Sequence, residues 1–243
     1  MALNSKQQEL LDRFVEKACT AAKVDLESIV LYGTSAGGDF HANYSDLNVL
    51  CLFKQLNTQT LDSLAPVMRW WSESKQPQPY LFEVSELHAS TDVFAIEFLD
   101  IKSRYRVLFG ADLISDLQVP MDLHRIQLEH ELRTNLMRFR HHYLAATGDN
   151  KKIMELMAGS ISSFTTLFRH ALIALGEKPA EHRREAVERL AMLLQFDAAP
   201  LLAILDIRAG KIQPSNVNMV GIFQGFLAAV ERVTGEVDRR LAH

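Results

Sequence analysis

Hydrophobic residues follow two different periods along the chain, and the change between them comes near Pro120. Before that point, short apolar runs of strand length alternate with stretches in which apolar residues recur about every three to four positions. After it, only the helical spacing continues. The pattern therefore predicts an α+β region with a mixed sheet over residues 1–118, followed by an all-α helical bundle over residues 121–243.

The first region begins with a helical pattern, and Ser5 and Gln8 form a capping-box motif at its start. Two β-rich runs follow at residues 29–32 and 47–53, and a glycine-containing loop separates them. Residues 60–74 return to helical spacing. Three further segments are predicted as strands: residues 80–84, residues 94–101, and a return strand with its turn at residues 104–110. These elements predict a mixed sheet flanked by helices.

The second region contains five amphipathic segments that are joined by short loops. The first of them carries Leu128, Leu132 and Leu136 along one stripe, which is the spacing of a helix that buries one face. The predicted helices span residues 122–148, 153–175, 181–194, 200–209 and 217–241. Helices of this kind bury their apolar faces against one another, so the pattern predicts a bundle.

The loop between the first two β-rich runs is the candidate functional segment. Gly33, at the end of a strand, lets a bound group approach the backbone closely, where amides can cradle phosphate oxygens. Thr34 can add a hydroxyl donor. Asp46 and Asn48 stand two residues apart at the start of the second run. Because side chains alternate along a strand, both point to the same face and can present two metal ligands side by side.

These residues resemble the signature of the nucleotidyltransferase superfamily, whose members include polymerase-beta-like enzymes and aminoglycoside nucleotidyltransferases. That signature is Gly followed by Gly or Ser, a spacer, and then Asp, an apolar residue, Asp or Glu, and another apolar residue. Here Gly33 and Thr34 are followed, after eleven residues, by DLNV at residues 46–49. The stretch SDLNVL is similar to the family's SDLDLL with one carboxylate turned into an amide. The resemblance is tight over residues 28–53, extends to about residue 118, and is architectural beyond that point.

The resemblance implies a role for each residue of the motif. Asp46 would be catalytic and would hold Mg²⁺ together with Asn48, against the phosphates of a nucleoside triphosphate. Gly33, Thr34 and Asn48 would contact the substrate. The implied reaction transfers a nucleoside monophosphate to a hydroxyl acceptor.

Members of the superfamily place a third carboxylate on a neighbouring strand, as a base for the attacking hydroxyl or as a metal ligand. Glu97 and Asp100 are the candidates here. In a strand over residues 94–101, alternation would point them to opposite faces, so they could not both face one site. Glu97 is preferred as the third carboxylate, because a charged side chain within a strand that is otherwise flanked by apolar residues indicates a function. An acid on an edge strand facing water is the alternative.

Asn48 leaves two hypotheses about function open. Mg²⁺ favours anionic oxygen ligands, and Asn48 offers only a neutral carbonyl oxygen. The first hypothesis is an impaired or unusual nucleotidyltransferase that uses Asp46 with another acid. The alternative is a catalytically inactive relative that binds a nucleotide or a protein partner through the same residues. The sequence predicts neither the nucleotide, nor the acceptor, nor the oligomeric state.

Composition and charge narrow the classes of function. The chain has 243 residues, of which 48% are hydrophobic, so it can bury a sizeable core. Its net charge of −4 argues against a general nucleic-acid binder, because phosphate contacts require a surplus of Lys and Arg. The N-terminus lacks the apolar core of a signal peptide, and no apolar run is long enough to cross a bilayer. Both cysteines lie in apolar segments, as reduced core residues do. A cytoplasmic protein without a membrane partner is expected.

Overall fold

The computed structural model divides the chain into two compact units, Met1–Met121 and Asp122–His243. It describes residues 3–36 and 46–241, except for the side chains of Thr34, Asn216, Arg240 and Leu241. Residues 37–45, the centre of the predicted functional loop, therefore lie outside the described residues. The predicted fold class, a mixed sheet with helices followed by a helical region, is confirmed.

The first unit is built on a four-stranded sheet. The strands are β1 (Leu26–Tyr32), β2 (Asn48–Phe53), β3 (Tyr80–Glu83) and β4 (Tyr105–Gly110), in the order β3-β2-β1-β4. Strand β1 pairs antiparallel with both β2 and β4, whereas β2 pairs parallel with β3. The central strands β1 and β2 are almost fully buried, which explains why they read as continuous apolar runs in the sequence.

Among the described residues of this unit, four α-helices accompany the sheet: α1 (Ser5–Ala22), α2 (Thr58–Glu73), α3 (Val84–Ala89) and α4 (Ala95–Ser103). The helix α1 starts with a capping box, but Asn4 and Gln7 form it, one residue before the predicted pair. The helices α1 and α2 pack on one sheet face, in a core with Leu31, Val49 and Trp71. The opposite face, which carries Val30, Leu50 and Leu52, packs against α3, α4 and the segment after β4.

The prediction of a strand over residues 94–101 is wrong, because this segment forms the helix α4. Every position except Glu97 and Asp100 is apolar, so alternation did not distinguish a strand from a short buried helix. Packing decides between them: Phe98 and Ile101, three residues apart, both lie in the core on one sheet face. That spacing fits one face of a helix and not one face of a strand.

The second unit contains the five predicted helices. They are α5 (His124–Ala146), α6 (Asn150–Ala174), α7 (Arg183–Leu194), α8 (Ala199–Arg208) and α9 (Met219–Leu241). Phe139 of α5 packs against Phe164 of α6 and Phe226 of α9, with ring centroids 5.5 Å and 4.9 Å away. Within the described residues, no helix combines the length and the apolar character that crossing a bilayer requires.

Candidate functional site

The glycine of the sequence motif lies directly after β1, where the chain makes a single 3₁₀ turn over Gly33–Ser35. Gly33 has a φ of +76°, a backbone conformation that strongly favours glycine. Its N–H donates a hydrogen bond of 2.9 Å to the carbonyl oxygen of Arg104, just before β4. The turn is thus fixed to the sheet, and the Gly33 amide already has a partner. Of the amides expected to cradle a phosphate, those of Thr34 and Ser35 remain candidates, because a 3₁₀ turn provides no acceptor for its first amides.

Asn48 lies beside this glycine turn. It is the first residue of β2 and is paired in register with Tyr32, the last residue of β1. A Cβ atom built on Gly33 would lie 3.4 Å from the Nδ2 atom of Asn48. The structure therefore brings together Gly33 and Asn48, two of the residues that the sequence motif predicted as substrate contacts. The side chain of the third, Thr34, lies outside the described part of the chain.

Asp46 precedes β2 and is exposed. Leu47, between Asp46 and Asn48, is only 1% exposed and belongs to the core beneath α1 and α2. Alternation then directs Asp46 and Asn48 away from that core, to the sheet face covered by α4. The Leu47 N–H donates a hydrogen bond of 2.9 Å to Oε1 of Gln76, in the loop between α2 and β3.

The two candidate acids of α4 lie near the end of β1. Burial raises the pKa of the Tyr32 phenol, and the neighbouring Tyr80 raises it further. Asp100 and Glu97 both add to this rise, and the helix α4 that carries them packs against the glycine turn at the end of β1. The expectation that they point to opposite faces is wrong, because residues three apart on a helix share a face. Both acids are half-buried.

Two tyrosines complete this surface, and the sequence motif did not include them. The rings of Tyr32 and Tyr80 stack with centroids 6.2 Å apart and planes within 7° of parallel. Burial raises the pKa of Tyr80 as well, and Glu97 adds to the rise. Tyr32 could have been inferred from its place before Gly33 and opposite Asn48. Tyr80 could not, since its position depends on the parallel pairing of β2 with β3.

The fit of this site to a metal ion depends on its oxygen donors. Within residues 3–36 and 46–241, no group of three or more His, Cys, Asp or Glu side chains could hold one. The predicted pair, Asp46 and Asn48, supplies one carboxylate and one neutral amide oxygen. Proteins usually bind Mg²⁺ through one or two carboxylates together with the phosphates of a substrate. These oxygen donors therefore fit Mg²⁺ that arrives with a nucleotide.

Among solved structures, the chain is similar to spectinomycin adenyltransferase AAD(9) from Enterococcus faecialis, solved with ATP and spectinomycin. The TM-score is 0.60 at 15% sequence identity, and the match covers 94% of this chain and 100% of the other. A toxin–antitoxin structure solved with AMP-PNP has a TM-score of 0.31 at 16% identity, over 44% of this chain and 82% of the other. That second score is too low to support an argument.

No family model matches the chain, and no curated protein matches it in sequence. The structural similarity nevertheless confirms, at the level of the fold, the resemblance that the sequence motif indicated. The chain has a nucleotidyltransferase-like fold.

Proposed function

We propose that this protein is a nucleotidyltransferase that transfers a nucleoside monophosphate from a nucleoside triphosphate to a hydroxyl acceptor. One observation carries the proposal: the glycine turn lies beside the start of β2 and packs against α4, the helix with both acids, at one edge of the sheet. The similarity to an adenyltransferase solved with ATP supports it at the level of the fold. The general activity rests on this combination of fold and residues.

Each residue at this edge has a proposed role. Asp46 and the amide oxygen of Asn48 would hold Mg²⁺ that accompanies the triphosphate, and the ion would neutralise charge on the phosphates. The backbone after Gly33 would contact phosphate oxygens. Glu97 would accept the proton of the acceptor hydroxyl, and Asp100, on the same face of α4, could take this role instead.

Matched substitutions test the proposal. Asp46→Asn and Glu97→Gln remove one charge each with little change in size. Both should reduce pyrophosphate release at least tenfold, because the loss of even a residue that supports a metal ligand typically lowers activity by about 10–100-fold. Asp62→Asn is the control, because Asp62 is an exposed acid on α2, which covers the other sheet face. Full activity in Asp46→Asn would overturn the proposal.

A second function is favoured by one observation, the neutral Asn48 at a position where the family motif has an acid. On this alternative the protein is an inactive relative that binds a nucleotide or a protein partner without turnover. The two functions differ in their need for metal. The enzyme should bind nucleotide more tightly with Mg²⁺ than with a chelator, whereas the binding module should not.

The composition and the hydrophobic pattern of the chain support three further proposals, on location, nucleic-acid affinity and domain boundaries. We infer a cytoplasmic location, a weak general affinity for nucleic acid, a nucleotidyltransferase-like domain over residues 1–118 and a helical bundle domain over residues 121–243. The free cysteines, half-buried Cys19 and buried Cys51, support the location, and the negative net charge supports the weak affinity.

A further inference from the structure

The backbone at the start of β2 is held by a side chain from a distant loop. The pairing of β2 with β1 ends at Asn48, and its pairing with β3 ends at Leu50. The Leu47 N–H lies beyond both ladders, yet it is buried with its residue. Its hydrogen bond goes to Oε1 of Gln76, 29 residues further along the chain, at 2.9 Å.

Gln76 is itself anchored. It is half-buried in the loop between α2 and β3. The next residue, Pro77, accepts a hydrogen bond of 2.7 Å from the indole Nε1 of Trp71, which is fully buried. The loop is thus attached to the core beneath α1 and α2, and this attachment holds the Gln76 carboxamide in position beside the start of β2.

We propose that Gln76 is a positioning residue for the nucleotide site. Leu47 stands between Asp46 and Asn48, so the orientation of its peptide units sets the direction of both side chains. Gln76 accepts the hydrogen bond of the Leu47 amide, which lies beyond both strand ladders, and it thereby fixes the backbone that orients the two proposed metal-facing oxygens. This inference rests on the proposed function, because it assigns Gln76 a role in binding a magnesium–nucleotide complex.

Three variants test it. Gln76→Met keeps the length of the side chain and removes the acceptor, whereas Gln76→Glu keeps an acceptor oxygen at the same reach. Gln78→Met is the matched control, because Gln78 lies in the same loop and its Nε2 donates to the hydroxyl of Ser72 instead. All three keep the buried Trp71–Pro77 hydrogen bond in place.

Two readouts are compared in the full-length protein. Amide hydrogen exchange of Leu47, measured by NMR, should be at least about fivefold faster in Gln76→Met, because the buried Leu47 N–H loses its acceptor. Affinity for ATP, GTP, CTP and UTP in MgCl₂ should fall about tenfold in Gln76→Met for the nucleotide that binds, as expected when support of a metal ligand is lost. Gln76→Glu should restore both values, and Gln78→Met should change neither.

The outcomes separate this inference from the proposed function. Unchanged exchange at Leu47 in Gln76→Met overturns the positioning role, whatever the protein binds. Faster exchange with unchanged nucleotide affinity also overturns it, because the hydrogen bond would then serve only the fold. If the wild-type protein binds none of the four nucleotides with Mg²⁺, the proposed function fails first, and the role assigned to Gln76 fails with it.

Discussion

Asn48→Asp is the substitution that most directly separates an enzyme from a binding module. It restores the carboxylate of the family motif with little change in volume, at a half-buried position beside Gly33 and opposite Tyr32. Residues two apart on one strand face are about 7 Å apart. Two unit charges at about that distance repel by about 0.6 kcal/mol in water and about 2.4 kcal/mol at an effective dielectric constant near 20.

The lower value applies more closely, because Asp46 is exposed. The unfolding entropy of about 2.1 cal/mol/K per residue amounts to about 0.25 kcal/mol/K for the unit Met1–Met121. The substitution should therefore lower the Tm of the metal-free first unit by about 2 °C. Added Mg²⁺ should reverse this loss, since a ligand present at about 100 times its Kd stabilises the folded state by about 2.7 kcal/mol.

The assay is the Tm of the wild type and of Asn48→Asp across a series of MgCl₂ concentrations, with pyrophosphate release measured alongside for each nucleotide. We expect a steeper dependence of Tm on Mg²⁺ in the variant and at least tenfold more turnover. If the variant gains neither, more than one metal ligand is missing from the site. The enzyme hypothesis should then be abandoned for the binding module.

Two further predictions concern the glycine turn and the tyrosine next to it. Gly33→Ala should destabilise the protein by about 1–2 kcal/mol, because the left-handed backbone conformation penalises a Cβ atom. The control Gly159→Ala, at an exposed position inside α6, should stabilise the protein by about 0.5–1 kcal/mol. Equal effects of the two variants in chemical denaturation would refute the conformational argument. Tyr32 has a pKa raised by burial, so its contribution to stability is complete below the pKa of the unfolded state, about 10, and is lost as the pH rises above it. Above about pH 10 the wild type should lose up to about 1.4 kcal/mol of unfolding free energy per pH unit through this phenol, and Tyr32→Phe should not show that loss. Identical curves of unfolding free energy against alkaline pH for the two proteins would show that the phenol does not titrate in this way.

The sequence predicted best those elements whose structure depends on neighbours in the chain. The strand–turn–strand around Gly33 follows from two apolar runs and one glycine, and the helical spacing of the second half predicted all five helices. The N-terminal cap was predicted one residue late, because Ser5 and Asn4 are both good cap residues and only the geometry selects Asn4.

The features that the sequence did not predict depend on contacts between distant segments. The helix α4 has too few polar residues for its period to be read, and its packing on the sheet decides its structure. That error also separated Glu97 from Asp100, which the helix brings to one face. Gln76 gave no signal at all, because its partner Leu47 lies 29 residues away in the chain, just before β2.

Nucleotide binding is the decisive test of the proposed function, and titration calorimetry in MgCl₂ and in EDTA measures it for the wild type and for Asp46→Asn. Each of ATP, GTP, CTP and UTP is titrated in turn. We expect that at least one nucleotide binds to the wild type in MgCl₂, that EDTA weakens this binding, and that Asp46→Asn weakens it at least tenfold in MgCl₂. Binding that is equally tight in MgCl₂ and EDTA, and unchanged in Asp46→Asn, would contradict it.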